Sequence, residues 1–190
     1  MKLFCIGLSK TGTRSLTKAL GRLGYNIVHY PTDAKTLECL KTGDYTFSHL
    51  DCDGISDITV SHCFRELLRV HRNAKLIYTT RELTPWLDSC EKHWSSHPYE
   101  NLVHELNEQG RIKYEIVRTL RYLNYGRLTF DRHNHQIKFM EHQLEVVKCK
   151  KLTLYGDRIL TLPLEEPDKY KLLCDFLNLP LLEEEYPHVK

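Results

Sequence analysis

The stretch Leu3-Phe4-Cys5-Ile6-Gly7-Leu8-Ser9-Lys10-Thr11-Gly12-Thr13-Arg14-Ser15-Leu16 constrains the fold more than any other part of the chain. A short apolar run comes first and reads as a strand. A loop with two glycines, a lysine and several hydroxyl side chains follows. Leu16, Ala19, Leu20 and Leu23 then recur at helical spacing, and Gly24 stands where a helix stop is expected. Strand, loop and helix N-terminus in that order form an anion cradle, because the loop N–H groups and the helix dipole favour negative charge at the same point. Gly7 and Gly12 keep the G-x-x-x-x-G spacing of a phosphate-binding loop. The Lys-[Ser/Thr] pair that normally follows is replaced by Thr13-Arg14, and the lysine lies inside the loop as Lys10. The hydroxyl that would hold Mg²⁺ in a nucleotide triphosphatase is thus missing from its usual place. An inner lysine reaches a phosphate or sulfate bound in the loop.

Further along, Asn26 to Tyr30 reads as a second strand stopped by Pro31. Thr32 or Asp33 can cap a helix with Ala34, Leu37 and Leu40 inward, ending at Gly43. Tyr45 to Leu50 reads as a third strand, followed by an acidic, loop-like segment from Asp51 to Asp57. Phe64, Leu67, Leu68 and His71 mark the next helix. Lys75 to Thr80 is the clearest strand. Thr84 and Pro85 suit the start of a helix that continues through Leu87, Cys90 and Trp94. From Pro98 to Val147 no strand is visible. Leu102, Val103 and Leu106 form one apolar stripe, Ile112, Ile116, Val117, Leu120 and Leu123 a second, and Phe130, Ile137, Met140, Leu144 and Val147 a third. Arg158 to Leu162 returns to strand. Pro167 starts a last helix with Tyr170, Leu173, Cys174 and Leu177 inward, and the tail Glu183-Glu184-Glu185 is acidic. Alternating strands and helices predict an α/β fold: a mainly parallel central sheet flanked by helices, in one domain over 1–190, with a helical insert at 98–147 over the site mouth.

A chain of 190 residues has room for one well-buried domain. Its net charge of +2 does not argue for nucleic acid or an anionic membrane surface. No apolar run approaches membrane-spanning length. Seven scattered cysteines without a C-x-x-C fit reduced thiols, so a cytoplasmic location is expected. His133, His135 and His142 complete no ligand set, and no metal is expected.

Ligands of open α/β sheets bind at the carboxyl ends of the strands. The polar residues there are the loop with Lys10, then His49, Asp53 and Asp57, then Arg81, with Ser89 on the following helix. The first motif, Ile-Gly-Leu-Ser-Lys-Thr-Gly-Thr-Arg-Ser-Leu, resembles the 5′-phosphosulfate loop of sulfotransferases that use PAPS (3′-phosphoadenosine 5′-phosphosulfate). Ser9 stands where that family has proline, and Arg14 where it has a second threonine. A second motif, Ala74 to Arg81 with Trp86-Leu87-Asp88-Ser89, resembles the family's 3′-phosphate segment, in which an arginine and a serine grip the phosphate. Asp53 to Asp57, Phe130 to His142 and Lys171 to Pro180 are similar to a branch of small bacterial-type sulfotransferases. The family's C-terminal R-K-G-x-x-G-D-W-K-N loop has no counterpart beyond Gly156-Asp157.

The resemblance implies a P-loop-like sulfotransferase fold and transfer of a sulfuryl group from PAPS to a hydroxyl or amine, with PAP (adenosine 3′,5′-bisphosphate) as product and no metal. Gly7, Ser9, Lys10, Thr11, Gly12, Thr13, Arg14 and Ser15 would hold the 5′-phosphate and sulfate. Arg81 and Ser89 would hold the 3′-phosphate. Lys10 would neutralise the departing oxygen. The general base would be His49, from a segment resembling the "K-T-H-L" of cytosolic members, or Asp57. The acceptor could be a small molecule, a glycan or a lipid. A P-loop kinase or nucleotide phosphatase, and a catalytically inactive PAP-binding protein of the same fold, are the alternatives.

Overall fold

The computed structural model describes residues 1–96 and 107–189. Its centre is a strand of three residues, β1 (Leu3–Cys5), paired in parallel on both sides. Strands β2 (Ile27–His29), β3 (Gly54–Ser56), β4 (Lys75–Thr80) and β5 (Ile159–Pro163) complete one five-stranded parallel sheet in the order β2-β3-β1-β4-β5. Successive side chains of a strand face opposite ways, and β1 separates its own accordingly. Phe4 joins Leu76 and Tyr78 in a core layer under α4 (Phe64–Val70) and the end of α7 (Arg132–Lys150). Leu3 and Cys5 join Ile77 and Leu162 under α1 (Thr13–Arg22) and α8 (Lys169–Leu177). A third cluster joins Leu8 and Ile58, beyond the strand ends, to Trp86 and Trp94 of α5 (Leu83–Ser96), Ile116 and Leu120 of α6 (Glu108–Tyr125), and Phe139 of α7. Helices α6 and α7 thus pack with α5 beyond the carboxyl edge of the sheet.

Two smaller helices complete the described residues: α2 (Ala34–Thr42), capped by Asp33 and stopped by Gly43 as the sequence indicates, and α3 (Ile58–Ser61), which was not foreseen. Three other readings are corrected. Tyr45 to Leu50 is not a strand but a run of turns, with Phe47 at φ 46° and its ring buried. The third strand is instead Gly54–Ser56, inside the segment read as a loop. Helix α5 begins at Leu83, before the expected Thr84-Pro85, and α8 begins at Lys169 rather than Pro167. On α7 the stripe Ile137, Met140, Leu144 and Val147 is exposed, and His135, Phe139, Val146 and Cys149 are the buried face. The stripe Leu102, Val103 and Leu106 lies outside the described residues.

His142 fastens α7 to the sheet. Its Nε2–H donates to the Ile6 carbonyl at 2.8 Å, and its ring meets Phe64 and Tyr78 edge-on. Burial pushes its pKa down to about 4, against about 6.5 for an exposed imidazole. A depressed histidine pKa means that the unfolded chain binds more protons between those values. Its contribution to stability is complete above pH 6.5 and is lost as pH falls towards 4. Denaturant titrations are expected to show a loss on the order of 2 kcal/mol between pH 7 and pH 5 from this residue. In His142→Gln, which keeps a donor for Ile6, the pH slope should flatten; an unchanged slope would refute the assignment.

Candidate functional site

The connection leaving β1 travels towards β2, while the one leaving β4 travels towards β5. The crevice between β1 and β4 is therefore the switch point at which open α/β sheets take ligands. The loop after β1 fills one side of it. Its backbone turns through Lys10 at φ 70° and Gly12 at φ 91°, and helix α1 starts at the next residue without a side-chain cap. The first-turn N–H groups of α1 are thereby left to a ligand.

The loop is braced from β4. A Cβ on Gly7 would lie 1.9 Å from Thr79 Oγ1 and 2.7 Å from the Thr79 carbonyl, so only glycine lets the loop approach that strand. The Thr11 hydroxyl donates to the Leu8 carbonyl at 2.7 Å and meets Thr79 Oγ1 at 2.7 Å. Thr11 is buried, and both its hydroxyl and its N–H, which donates to the Leu8 carbonyl at 3.3 Å, shape the loop. Thr13 and Ser15 are buried in the first turn of α1, and Ser15 Oγ accepts from the Val189 N–H at 3.0 Å. Arg14 is exposed on the same turn.

Arg81 follows the end of β4. One guanidinium nitrogen donates to the Lys10 carbonyl at 3.2 Å, and its Nε is buried without a protein partner. A buried, unpaired guanidinium N–H is costly to leave unsatisfied. Burial pushes the Cys90 thiol up to about 12, and Lys10 and Arg81 both oppose that shift, so the two cations reach the same corner of α5. Ser89, part-buried, is the neighbouring residue on that helix. The first motif and the second thus meet in space.

Asp57 follows β3 and closes the crevice from the other side. Its backbone sits at φ 78° and ψ −170°, a region nearly reserved for glycine, which costs on the order of 1–3 kcal/mol. Its N–H donates to the Cys5 carbonyl, and its Oδ1 accepts from the Ile58 N–H at 2.7 Å and the Ser9 hydroxyl at 3.2 Å. Ser9 is fixed in turn by Trp86, whose indole N–H donates to the Ser9 carbonyl at 2.8 Å. The serine that replaces the resembled family's proline therefore ties the loop to Asp57.

His49 lies elsewhere. Its Nε2 is 3.1 Å from Thr36 Oγ1 and 3.3 Å from Asp33 Oδ1, and its Nδ1 is 3.9 Å from Cys39 Sγ. All three partners belong to α2 or its cap. It lines a surface cavity with Lys35, Glu38, Cys39, Thr42, Asp44 and Ser48, and none of these belongs to the loop after β1. The histidine that does reach Asp57 is His29, the last residue of β2. Its Nε2 is 3.4 Å from Asp57 Oδ2 and its Nδ1 is 2.8 Å from Ser56 Oγ. The sequence carried a signal for it: a histidine at the carboxyl end of a strand, on the edge where the other site residues were collected. Among the described residues no group of three or more His, Cys, Asp or Glu could hold a metal ion, and no helix is long and apolar enough to cross a membrane.

A loop after the first strand, backed by an arginine from the adjoining one, places the chain in the class of α/β proteins built on an open parallel sheet with a glycine-containing loop at its switch point. Within that class it belongs to the sulfotransferase domain family, which matches residues 2–190. It is also similar to the "Ava biosynthesis cluster protein M" of Aspergillus versicolor, at 24% identity over 228 residues covering all of this chain and 80% of that protein.

Proposed function

We propose that the protein moves a sulfuryl group from PAPS to a hydroxyl or amine. The observation that carries this reading is Arg81: a guanidinium anchored on the Lys10 carbonyl, with a buried Nε–H still to be satisfied. A nucleotide with phosphate at both its 5′ and 3′ positions suits such a pair of cationic corners, and the residues present fit it. The N–H groups of the loop and of the first turn of α1, with Lys10, would hold the 5′-phosphate and sulfate, Thr11 contributing through the shape it gives the loop. Arg81 and Ser89 would hold the 3′-phosphate, the arginine through two parallel N–H bonds. PAPS supplies the sulfuryl group when bound and leaves as PAP. Lys10 offsets negative charge where it grows, on the departing oxygen, and the loop holds donor and acceptor in line. The relative is named for a biosynthesis cluster, which supports a small-molecule acceptor over a glycan or lipid. Seven free cysteines, six of them buried, support a cytoplasmic setting.

Calorimetric titration with PAP tests the donor site. Wild type is expected to bind PAP without competition from ATP–Mg²⁺ or adenosine 5′-phosphate. Arg81→Ala is expected to weaken binding by about 10- to 100-fold, since charge-assisted hydrogen bonds contribute about 1.5–3 kcal/mol. A preference for ATP–Mg²⁺ would overturn the reading in favour of a kinase or nucleotide phosphatase.

A further inference from the structure

The hydrogen-bond chain behind His29 fixes which of its nitrogens carries a proton. The Thr17 hydroxyl donates to the Thr13 carbonyl at 3.0 Å. A hydroxyl has one proton, so at its 2.7 Å contact with Ser56 Oγ, Thr17 is the acceptor and Ser56 the donor. The proton of Ser56 is then committed as well. At 2.8 Å from Nδ1, its oxygen can only accept. Neutral His29 is therefore the Nδ1–H tautomer, and its Nε2 presents a bare lone pair.

That lone pair faces Asp57 Oδ2 at 3.4 Å. The other carboxylate oxygen is occupied by Ser9 and Ile58. Two acceptors confronting each other repel unless a hydrogen lies between them. The carboxylate is tied to the loop that carries Lys10, because Ser9 of that loop donates to its Oδ1. The imidazole is part-exposed, so an incoming hydroxyl can reach it.

From this arrangement we infer that His29 Nε2 is the general base of the reaction and that Asp57 and Ser56 position it. The inference rests on the sulfuryl-transfer reading above. The acceptor donates its O–H into the gap. In the step itself that O–H bond breaks and the proton passes to Nε2. The acceptor oxygen bonds to sulfur, and the sulfur–oxygen bond to the 5′-phosphate breaks with its electron pair left on the phosphate oxygen. The imidazolium then donates its new N–H to Asp57 Oδ2, which stabilises the cation as it forms. The groups facing the ring agree with a base that is free at neutral pH: burial and Arg14 of α1 favour the neutral form and outweigh Asp57. The strained backbone of Asp57 is also accounted for, since it turns the carboxylate onto the ring. His49 has no part in this chemistry.

Nitrogen-15 NMR of the histidine rings at pH 7.5, with His29 identified by the signals lost in His29→Gln, tests the tautomer without any turnover. The expected result is Nδ1–H in wild type and a mixture of tautomers in Ser56→Ala. An Nε2–H tautomer or a protonated ring in wild type overturns the inference. In parallel, PAP release from PAPS is followed with water as the only acceptor, alongside PAP affinity. His29→Gln is expected to slow release about 100-fold or more while PAP affinity changes less than threefold. Asp57→Asn, whose amide can donate to Nε2 and occupy it, is expected to slow release similarly. Equal release by His29→Gln and wild type, with PAP bound by both, overturns His29 as base. Absence of PAP binding in wild type overturns the donor reading instead, and the NMR result then still decides the His29 geometry.

Discussion

Replacing Gly54 with alanine is expected to destabilise the protein severely. The added Cβ would lie 1.7 Å from the Leu3 carbonyl oxygen and 2.7 Å from its carbon, with Ile27 Cδ1 at 3.2 Å. Relief by movement is blocked on both sides. Strand β3 lies between β2 and β1, with Gly54 in register with Ile27 and with Leu3. Leu3 is itself paired with Lys75 of β4, and its N–H is held by the Asp53 carbonyl. Separating β1 from β3 would break the centre of the sheet and would also displace Asp57, three residues on. Overpacking a core normally costs about 1–3 kcal/mol where side chains can adjust. Here the obstacle is backbone, and a cost of about 4 kcal/mol or more is expected, against the 5–15 kcal/mol that holds a typical domain together. Thermal unfolding should then begin at least about 10 °C lower than in wild type. Gly21→Ala is the control: it lies exposed on α1, its Cβ would meet nothing within 4 Å, and alanine there is expected to be neutral or stabilising by up to about 1 kcal/mol. A Gly54→Ala protein with wild-type stability would disprove the register of β1 and β3.

The same glycine shows why β3 was hard to read. Strand signals in a sequence are aromatic and β-branched residues, and Tyr45-Thr46-Phe47 supplies them. Tyr45 and Phe47 instead reach the core from turns, and Thr46 is exposed. The real strand is Gly54-Ile55-Ser56, small because a central position between two backbones leaves no room for more, and flanked by acidic residues that look like a loop. Propensity measures fit to a half-exposed pleated surface, and β3 is buried throughout. Lys75–Thr80, a longer run rich in such residues, was legible to the residue. Helix α7 was legible as a helix but not in its orientation. Its inward positions His135, Phe139, His142, Val146 and Cys149 repeat at helical spacing, yet two are histidines, which count as polar in any hydropathy pattern. Stacked on Tyr125 or bonded to the Ile6 carbonyl, they behave as core residues. The outward stripe kept the better apolar score. The residues that meet between β1 and β4 were readable because they are local: a loop of consecutive residues, and an arginine with a serine eight positions on. The cluster around His29 was not, because His29, Ser56, Thr17 and Asp57 come from two strands, a helix and a loop. His49 was collected from a segment read as a strand, which the structure forms as turns beside α2, whereas Asp57, also collected, lies against the loop after β1.

Substituting Lys10 with alanine is expected to produce the largest loss of activity of any single change, with the fold intact. The side chain contributes nothing to the core, and among the described residues no carboxylate lies within ion-pair distance of its ammonium. What the fold uses is the backbone of Lys10, whose carbonyl accepts from Arg81, and alanine retains that carbonyl. The charge thus has no counter-ion among the described residues, beside a loop whose N–H groups also favour an anion. Because negative charge on the leaving oxygen grows only as the bond to sulfur breaks, most of the benefit of Lys10 falls on the transition state. Removing one such preorganised cation is expected to slow PAP release from PAPS by about 10²–10³-fold, and PAP affinity should fall by no more than about tenfold. Lys10→Arg, which restores charge but not the point geometry of an ammonium, should recover only part of the rate. The division between rate and affinity is the decisive reading. If Lys10→Ala loses affinity and rate by the same factor, the lysine holds the nucleotide equally in both states and is a binding residue only. If the rate falls far more than the affinity, charge neutralisation at the departing oxygen is its role, and Lys10 and Arg81 divide the work of the crevice between catalysis and grip.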